Sequence, residues 1–326
     1  MISNRTSLRM YGLPLIDSLT ELSEVMRLTK GLLYKMAKCN QRFYRVFDMP
    51  KKSGGTRRIA QPGRCLKAVQ AWILRKILNR LKSSDACKGF QKGEGILNNA
   101  LPHVRANAIL SLDIENFFPS IRPNRVYRVF RNAGYGSTAA GLLTSLCTFE
   151  DGLPQGAPTS PKLSNLVCLR LDARLVGFAG KRGIIYTRYA DDLTFSASRA
   201  QIVARALPVI RQIVQNEGFV LNEGKTRLAG PSRRRRVTGL VLNEHGVGIG
   251  TDRARILRSK IHHLSKVELL AADPTKLNHI QGWLAFVRGV DRKRWKALTV
   301  YIDKMAQKYP DSGVIKLRPY NPTGAD

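Results

Sequence analysis

Acidic residues are scarce in this chain. Only 23 Asp and Glu stand against 55 Lys and Arg in 326 residues, a formal net charge of +32. A balance this one-sided repels itself in a compact state unless a polyanion neutralises it, and nucleic acid is the polyanion to which it points. Long apolar runs are lacking too. No stretch approaches the roughly 20 residues that span a bilayer, so no membrane partner is expected. The basic N-terminus "MISNRTSLRM" has no apolar core of the signal-peptide kind, which leads to the expectation of a cytoplasmic protein. Cysteine is sparse: Cys39, Cys65, Cys87, Cys147 and Cys168 are odd in number and never spaced C-x-x-C. Buried thiols in a reducing compartment fit this pattern better than disulfides or zinc. The five histidines add no metal pattern, and His262 and His263 belong on a basic helix. Repeats and low-complexity linkers are absent, so any subdomains are interwoven.

What is present suits a globular enzyme. Hydrophobic residues make up 43% of the chain, enough for a large core. Residues 17–38 read as short helices, and Phe43 to Ile59 as two strands around a Gly-Gly turn. Residues 66–81 carry apolar side chains at helical spacing with Lys and Arg on the other face. A buried-type strand is predicted over 107–114. Helices follow at "PNRVYRVFRNAG" and "STAAGLLTSLC", then one longer helix over 161–175, a hairpin over 184–198 and a helix over 200–216. Short strands are predicted at "GFVLN", "RVTGLVLN" and "GVGIG". The pattern is helical from Asp252 to about Tyr309, with a loosely ordered tail beyond.

The hairpin "IIYTRYADDLTFSAS" sets Asp191 beside Asp192 between two strand-forming runs. On the dipeptide alone, solvated decoration of a turn is the simpler reading. Asp113, however, ends the strand "ILSLD", and neighbouring strand ends can gather three carboxylates. Such a cluster is costly without cations, because like charges at short range raise each other's pKa. Two Mg²⁺ ions remove the conflict, since they bind a few carboxylates plus substrate phosphates. Two metals about 4 Å apart serve phosphoryl transfer by activating the attacking hydroxyl and stabilising the leaving oxygen. Glu115 projects to the same side as Asp113 by strand geometry but is left out of the set.

Further motifs surround these acids. "SLDIENFFPSI" (111–121), "LPQGAPTSPKLSN" (153–165), "YADD" (189–192) and "GFVLNEGKT" (218–226) follow one another in order. Together they strongly resemble the reverse transcriptases, and "NALPH" (99–103) and "RVTGL" (236–240) resemble elements particular to the retron type. The resemblance covers about residues 43–250. It implies that Asp113, Asp191, Asp192 and the carbonyl of Ile114 hold two Mg²⁺, with Mn²⁺ able to substitute. It also implies that Arg57 contacts the triphosphate, that Gln155 and Gly156 shape the nucleotide pocket, and that Lys225 can protonate departing pyrophosphate. Phe118 falls at the position whose ring crowds a ribose 2′-OH; a core aromatic beside Phe117 is the alternative. Gly156 leaves room for backbone to approach a nucleotide, and a helix opening after "GAPTSP" aims N–H groups where phosphate could lie.

The fold class expected is α+β: a right-hand polymerase with fingers, a palm of antiparallel sheet backed by helices, and a helical thumb. The division expected is 1–105 for N-terminal helices and fingers, 106–250 for the palm with its fingers insertion, and 251–326 for a basic thumb and tail. Between Asp252 and Arg318 there are 15 basic and 6 acidic residues with Trp283, Trp295 and Tyr301 interleaved, a balance suited to duplex phosphates. The resemblance further implies dNTPs as substrates and a folded noncoding RNA as template and primer. It implies a bacterial setting, multicopy single-stranded DNA as product, and a separate effector or toxin protein in antiphage defence. An RNA-dependent RNA polymerase and a non-catalytic RNA-binding scaffold are the rival readings; the aromatic at Phe118 argues against the first and the intact acids against the second.

Overall fold

Caps written into the sequence start the first helices. Asn4 caps α1 (Arg5–Met10), Ser18 and Glu21 form a reciprocal capping box on α2 (Leu19–Met26), and Thr29 caps α3 (Lys30–Lys38). The structure, a computed structural model, describes residues 4–51, 54–243, 246–269, 271 and 273–317. Strands β1 (Tyr44–Pro50) and β2 (Thr56–Pro62) pair antiparallel, with Tyr44 opposite Pro62 and Pro50 opposite Thr56. Gly54 and Gly55 take φ of 87° and 78° at the turn, where any side chain would be strained. Helix α4 (Arg64–Lys76) then buries Leu66, Val69 and Ile73 and turns its basic residues outward.

The chain divides into two compact units. The first holds the chain up to Gly95 together with Asn107–Leu228; the second holds Ile96–Ala106 and the chain from Ala229 onward. Helix α5 (Ile96–Ala100) therefore belongs to the second unit, although by sequence it lies inside the first.

In the first unit a central sheet forms from β3 (Ala108–Asp113), β4 (Ile185–Tyr189), β5 (Asp192–Ala197) and β6 (Arg227–Ala229), in the order β4-β5-β3-β6. β3 is apolar almost throughout because both its faces are covered. Between β3 and β4 the chain forms α6 (Phe117–Ser120), α7 (Pro123–Asn132), α8 (Ser137–Cys147), α9 (Ser160–Val167) and α10 (Leu169–Gly180). Helix α11 (Ala200–Asn216) packs on β3 and β5. One apolar core joins the sheet to the helices, with Leu110, Leu112, Leu193 and Phe195 of the strands inside it.

The second unit has its own core. Strands β7 (Arg236–Val237), β8 (Leu240–Asn243) and β9 (Gly246–Gly248) make a small antiparallel sheet. Helices α12 (Thr251–Leu264), α13 (Pro274–Val290) and α14 (Arg292–Lys308) pack around Leu257, Ile261, Leu284 and Ile302. Trp283 and Trp295 lie partly buried against that core.

Several local expectations are corrected. The single helix over 161–175 is two, because the chain bends at Cys168 (ψ 1°) between α9 and α10. "GFVLN" forms no strand; Leu221 makes only an isolated bridge to Ile114, and the strand falls later, at β6. Cys39 and Cys65 are exposed, and only the other three cysteines are buried. Part of the tail is ordered, since Val314 and Leu317 of the turn Gly313–Leu317 are buried; 318–326 lie outside the described residues.

Gly152 fixes one important join. Leu153 N donates to Phe118 O at 3.1 Å, which fastens the turn 149–152 to α6. A Cβ on Gly152 would lie 2.4 Å from the carbonyl oxygen of Pro119 and 2.9 Å from its Cα. Backbone cannot step aside as a flexible side chain can, so Gly152→Ala is expected to destabilise by about 1–3 kcal/mol. Urea denaturation measures this, and an unchanged midpoint would mean that the turn yields freely.

Candidate active site at the carboxylate hairpin

Strand register brings the acids together. β3 and β5 run antiparallel with Asp113 opposite Asp192, and β4 returns with Tyr189 also opposite Asp192. Ala190 and Asp191 form the tip. Ile114 N donates to Asp191 O at 3.0 Å, tying the tip to the end of β3. On the other side of β3, Asn222 N donates to Asp113 O at 2.8 Å and Glu115 N to Val220 O at 2.8 Å. The segment around 220–225 thus carries Lys225 to Asp113, and its ammonium lies 2.9 and 3.0 Å from the two carboxylate oxygens.

Electrostatics follow from this crowding. Removal of water and the nearby Asp113 push the Asp191 carboxyl up, while a backbone hydrogen bond, Lys225 and Arg57 oppose the shift. Asp192 is pushed up to about 6, mainly by loss of water and then by Asp191 and Asp113, with Lys225 opposing. Arg57 of β2 is therefore close enough to be felt at the hairpin. Its neighbour Arg58 is engaged elsewhere, in a two-pronged pair with Glu150 at 2.8 and 3.0 Å. Strand alternation separates the two arginines.

A metal pair suits this chemistry, although the side chains are not gathered as a finished cage. Among the described residues no group of three or more His, Cys, Asp or Glu is set to hold a metal ion. At Asp113 the positive charge of Lys225 stands in for a cation. The donors are nonetheless hard oxygens of the kind Mg²⁺ prefers, and loss of water together with neighbouring acids raises the pKa of Asp191 and Asp192, a cost that a cation would relieve.

The loop 153–160 has a tighter role than its sequence suggests. Gln155 O accepts from Ala60 N of β2 at 2.9 Å. Gly156 has φ 132°, and a Cβ there would lie 2.9 Å from Ala60 O. The room that glycine leaves is filled by β2, which couples the β1–β2 hairpin to this loop. The expected phosphate cradle at the start of α9 is also modified: Thr159 and Ser160 are buried, and the Ser160 hydroxyl donates to Pro154 O at 2.8 Å. Ser160 is the first helical residue, with Thr159 as its cap.

Beneath the hairpin lies a network that the sequence reading missed. Arg188 and Asp172 are both fully buried and paired at 2.7 Å, with a second bond from Arg188 Nε to Asp172 Oδ1 at 2.8 Å. Tyr186 donates to the same oxygen at 2.8 Å. The Arg188 guanidinium also donates to Asn165 Oδ1 at 3.2 Å and to Ala190 O at 3.1 Å. Ala190 needs that support: its φ of 58° is left-handed, a conformation costing a non-glycine residue roughly 1–2 kcal/mol. One signal was available, an arginine two residues from Tyr186 within a run expected to form a strand, and so on the same face.

A second missed element is the strap 84–91. Lys88 N donates to Arg188 O at 2.7 Å and Arg188 N to Ala86 O at 2.8 Å, so the strap runs along β4. Asn165 Nδ2 holds Gly89 O at 2.8 Å. Gly89 presses on the tip so closely that a Cβ would sit 2.7 Å from Ala190 N. The next residue, Phe90, has its ring centroid 6.4 Å from Tyr189 and 6.1 Å from Phe118. Phe118 itself is half-buried, with Phe117 at 5.5 Å on another side.

Two outcomes are expected. Arg188→Met should destabilise by about 3–5 kcal/mol, because it strands Asp172 as a buried, unpaired charge. Combining it with Asp172→Leu should recover much of that loss in a denaturation cycle, and strict additivity would refute the coupling. The second concerns pH. Asp192 takes up a proton more readily folded than unfolded, where its ordinary value is 3.8. Its contribution to stability is therefore full below about pH 4 and lost as pH rises through about 6. Without divalent cations, Asp192→Asn should raise Tm at pH 7 and leave it little changed near pH 4; parallel Tm profiles for the two proteins would contradict the shift.

The comparisons with known proteins come to the same place. A family model described as "Reverse transcriptase (RNA-dependent DNA polymerase)" matches residues 49–242, more than half of the chain. Retron Ec86 reverse transcriptase of Escherichia coli is 43% identical over 308 residues, covering 94% of this chain and 95% of that protein. Retron Mx65 reverse transcriptase of Myxococcus xanthus is 34% identical, covering 88% and 72%. The solved structure of telomerase from Candida albicans, in complex with a fragment of telomeric RNA, aligns over 93% of this chain and 66% of that one, with a TM-score of 0.45 and 10% identity. The mixed helices and antiparallel sheets accord with the α+β right-hand polymerase fold. With the acids of "YADD" and "SLD" seated on adjacent strands and full-length identity at this level, the chain belongs to the RNA-directed DNA polymerases, as a reverse transcriptase of the retron type.

Proposed function

We propose that this reverse transcriptase copies a structured noncoding RNA into multicopy single-stranded DNA, starting from a 2′-OH of the RNA itself. It works with a separate effector protein in antiphage defence, in the bacterial cytoplasm. The observation that carries the catalytic part is the register of Asp113 opposite Asp192, with Asp191 next to Asp192 at the hairpin tip. The observation that supports the retron part is identity spread over nearly the whole of both chains rather than over the polymerase motifs alone.

Asp113, Asp191, Asp192 and the carbonyl of Ile114 would hold two Mg²⁺, or Mn²⁺ in their place. Bound there, the ions activate the attacking hydroxyl and stabilise the leaving pyrophosphate. The remaining roles fall to the protein. Arg57, held close to the hairpin and left free by the Arg58–Glu150 pair, binds the dNTP triphosphate. Gln155 and Gly156, braced against Ala60, set the shape of the nucleotide pocket. Phe118 excludes the ribose 2′-OH. Lys225 holds Asp113 in place through its two contacts, and once released from it can donate a proton to departing pyrophosphate. The net charge of +32 draws in the folded RNA, and its binding weakens as salt rises. An RNA held by the protein presents its hydroxyl as if within one molecule, which makes an otherwise unfavourable primer effective.

The test is expression with the neighbouring noncoding locus, followed by extraction of nucleic acid and treatment with a debranching enzyme. The expected product is a discrete RNA–DNA species whose DNA is released by debranching. It should vanish in Asp113→Asn and Asp191→Asn while RNA binding persists. Absence of the species alongside activity on generic primed templates would overturn the retron reading. Near-normal polymerisation by both variants would overturn the metal seat.

A further inference from the structure

The strap residue Phe90 has features that core packing does not explain. Its backbone is left-handed, with φ 59°, in a segment where glycines occur at 89, 93 and 95. A phenylalanine there is strained, and its side chain is 45% exposed, so burial offers little in return. Strain of this kind persists only where the surroundings enforce it, and it concentrates at functional sites. The surroundings do enforce it: Gln91 Nε2 closes the loop onto the carbonyls of Ser84 and Cys87, and Asn165 holds Gly89. The ring is thereby carried to a fixed place near both Tyr189 of the hairpin and Phe118.

We infer that Phe90 is a positioning residue for sugar selection: it braces the Phe118 ring, which also packs on Phe117, and ties its placement to the carboxylate hairpin. This rests on the reading of Phe118 as the residue that excludes the 2′-OH. A ring that discriminates by contact must not swing when a larger sugar presses on it. Phe117, a buried side chain, supports Phe118 from within the core. Phe90, itself exposed, supplies a second support. Its tilt of 42° to Phe118, with centroids 6.1 Å apart, is a favourable aromatic geometry. Because the strap is hydrogen-bonded along β4, the brace keeps register with Asp191 and Asp192, where the reacting phosphate must lie.

The informative variant is Phe90→Gly, which removes the ring and relieves the left-handed backbone together. Its Tm should hold or rise, which separates a functional loss from a folding one. On a primed RNA template, the ratio of kcat/KM for a deoxyribonucleotide to that for its ribonucleotide should fall about three- to tenfold, the range of one aromatic contact. Phe90→Tyr should restore the ratio. In a Phe118→Ala background, Phe90→Gly should have no further effect on the ratio, because the brace acts through the ring already lost. An unchanged ratio in Phe90→Gly, where Phe118→Ala lowers it, overturns the inference and leaves the Phe118 reading standing. A second, equal drop in the Phe118→Ala background also overturns it, since Phe90 would then act on the sugar by itself. An unchanged ratio in Phe118→Ala overturns the Phe118 reading instead.

Discussion

The fully buried pair of Arg188 and Asp172 is the interaction on which the site depends. Two charges removed from water are unfavourable unless every hydrogen-bonding group finds a partner, and here the partners reach from two helices to the carboxylate hairpin. Asp172 comes from α10, Asn165 from α9 and Tyr186 from β4, and the guanidinium joins all three to Ala190 O at the tip. The hairpin is thus held by side chains from behind as well as by the ladder to β3. Greasy packing of equal volume would stabilise as well, but it would not fix the direction of the Ala190 carbonyl. Direction matters, because a turn that rotates would carry Asp191 away from Asp113.

From this support follows the tension at the site. Rigid backbone forces Asp113, Asp191 and Asp192 into a small space that they would otherwise leave. Lys225 and Arg57 offset part of the crowding, and loss of water with the neighbouring acids still leaves Asp191 and Asp192 resisting ionisation. Preorganisation of this kind lowers stability before substrate arrives and is recovered when positive charge enters. The strap 84–91 and the β1–β2 hairpin press in from two sides for the same reason. Gly89 against Ala190 and Gly156 against Ala60 are the places where a methyl group could not fit.

How much of this was legible depends on the range of the interaction. Strand ends and helix faces are local, so β3, the hairpin and α11 were readable from periodicity, and the acids from their positions at strand ends. The three aspartates were marked because charge at an apolar strand's end is conspicuous. Arg188 was not, because in the sequence it is one of 55 basic residues, and its partner lies 16 positions earlier on a different element. Phe90 was hidden for a related reason: left-handed backbone at a phenylalanine has no sequence signature, and its neighbours Phe118 and Tyr189 are distant in the chain. The bend at Cys168 was lost because both halves share helical periodicity. Gly156 was marked for the right freedom, but the group that uses the space is Ala60.

The second unit shows what a motif can mean before its ligand is known. "NALPH" and "RVTGL" lie more than 130 residues apart, and their similarity to retron elements gives no hint that they touch. In the structure they form one piece. Helix α5 packs on β7 and β8, the Thr238 hydroxyl lies 3.4 Å from Ile96 O, and the Arg235 guanidinium bonds Ala106 O. Thr238 and Gly239 both have positive φ, so the sheet turns sharply where it receives α5. His103 is fully buried, and loss of water pushes its imidazole down to about 4, so at neutral pH it adds no charge to an already basic chain. The run 96–106 belongs with the small sheet of the second unit, and the chain passes from it directly into β3, whose last residue is Asp113. These contacts tie 96–106 and 235–240 into one piece within the second unit, so the two retron-like motifs act first as architecture.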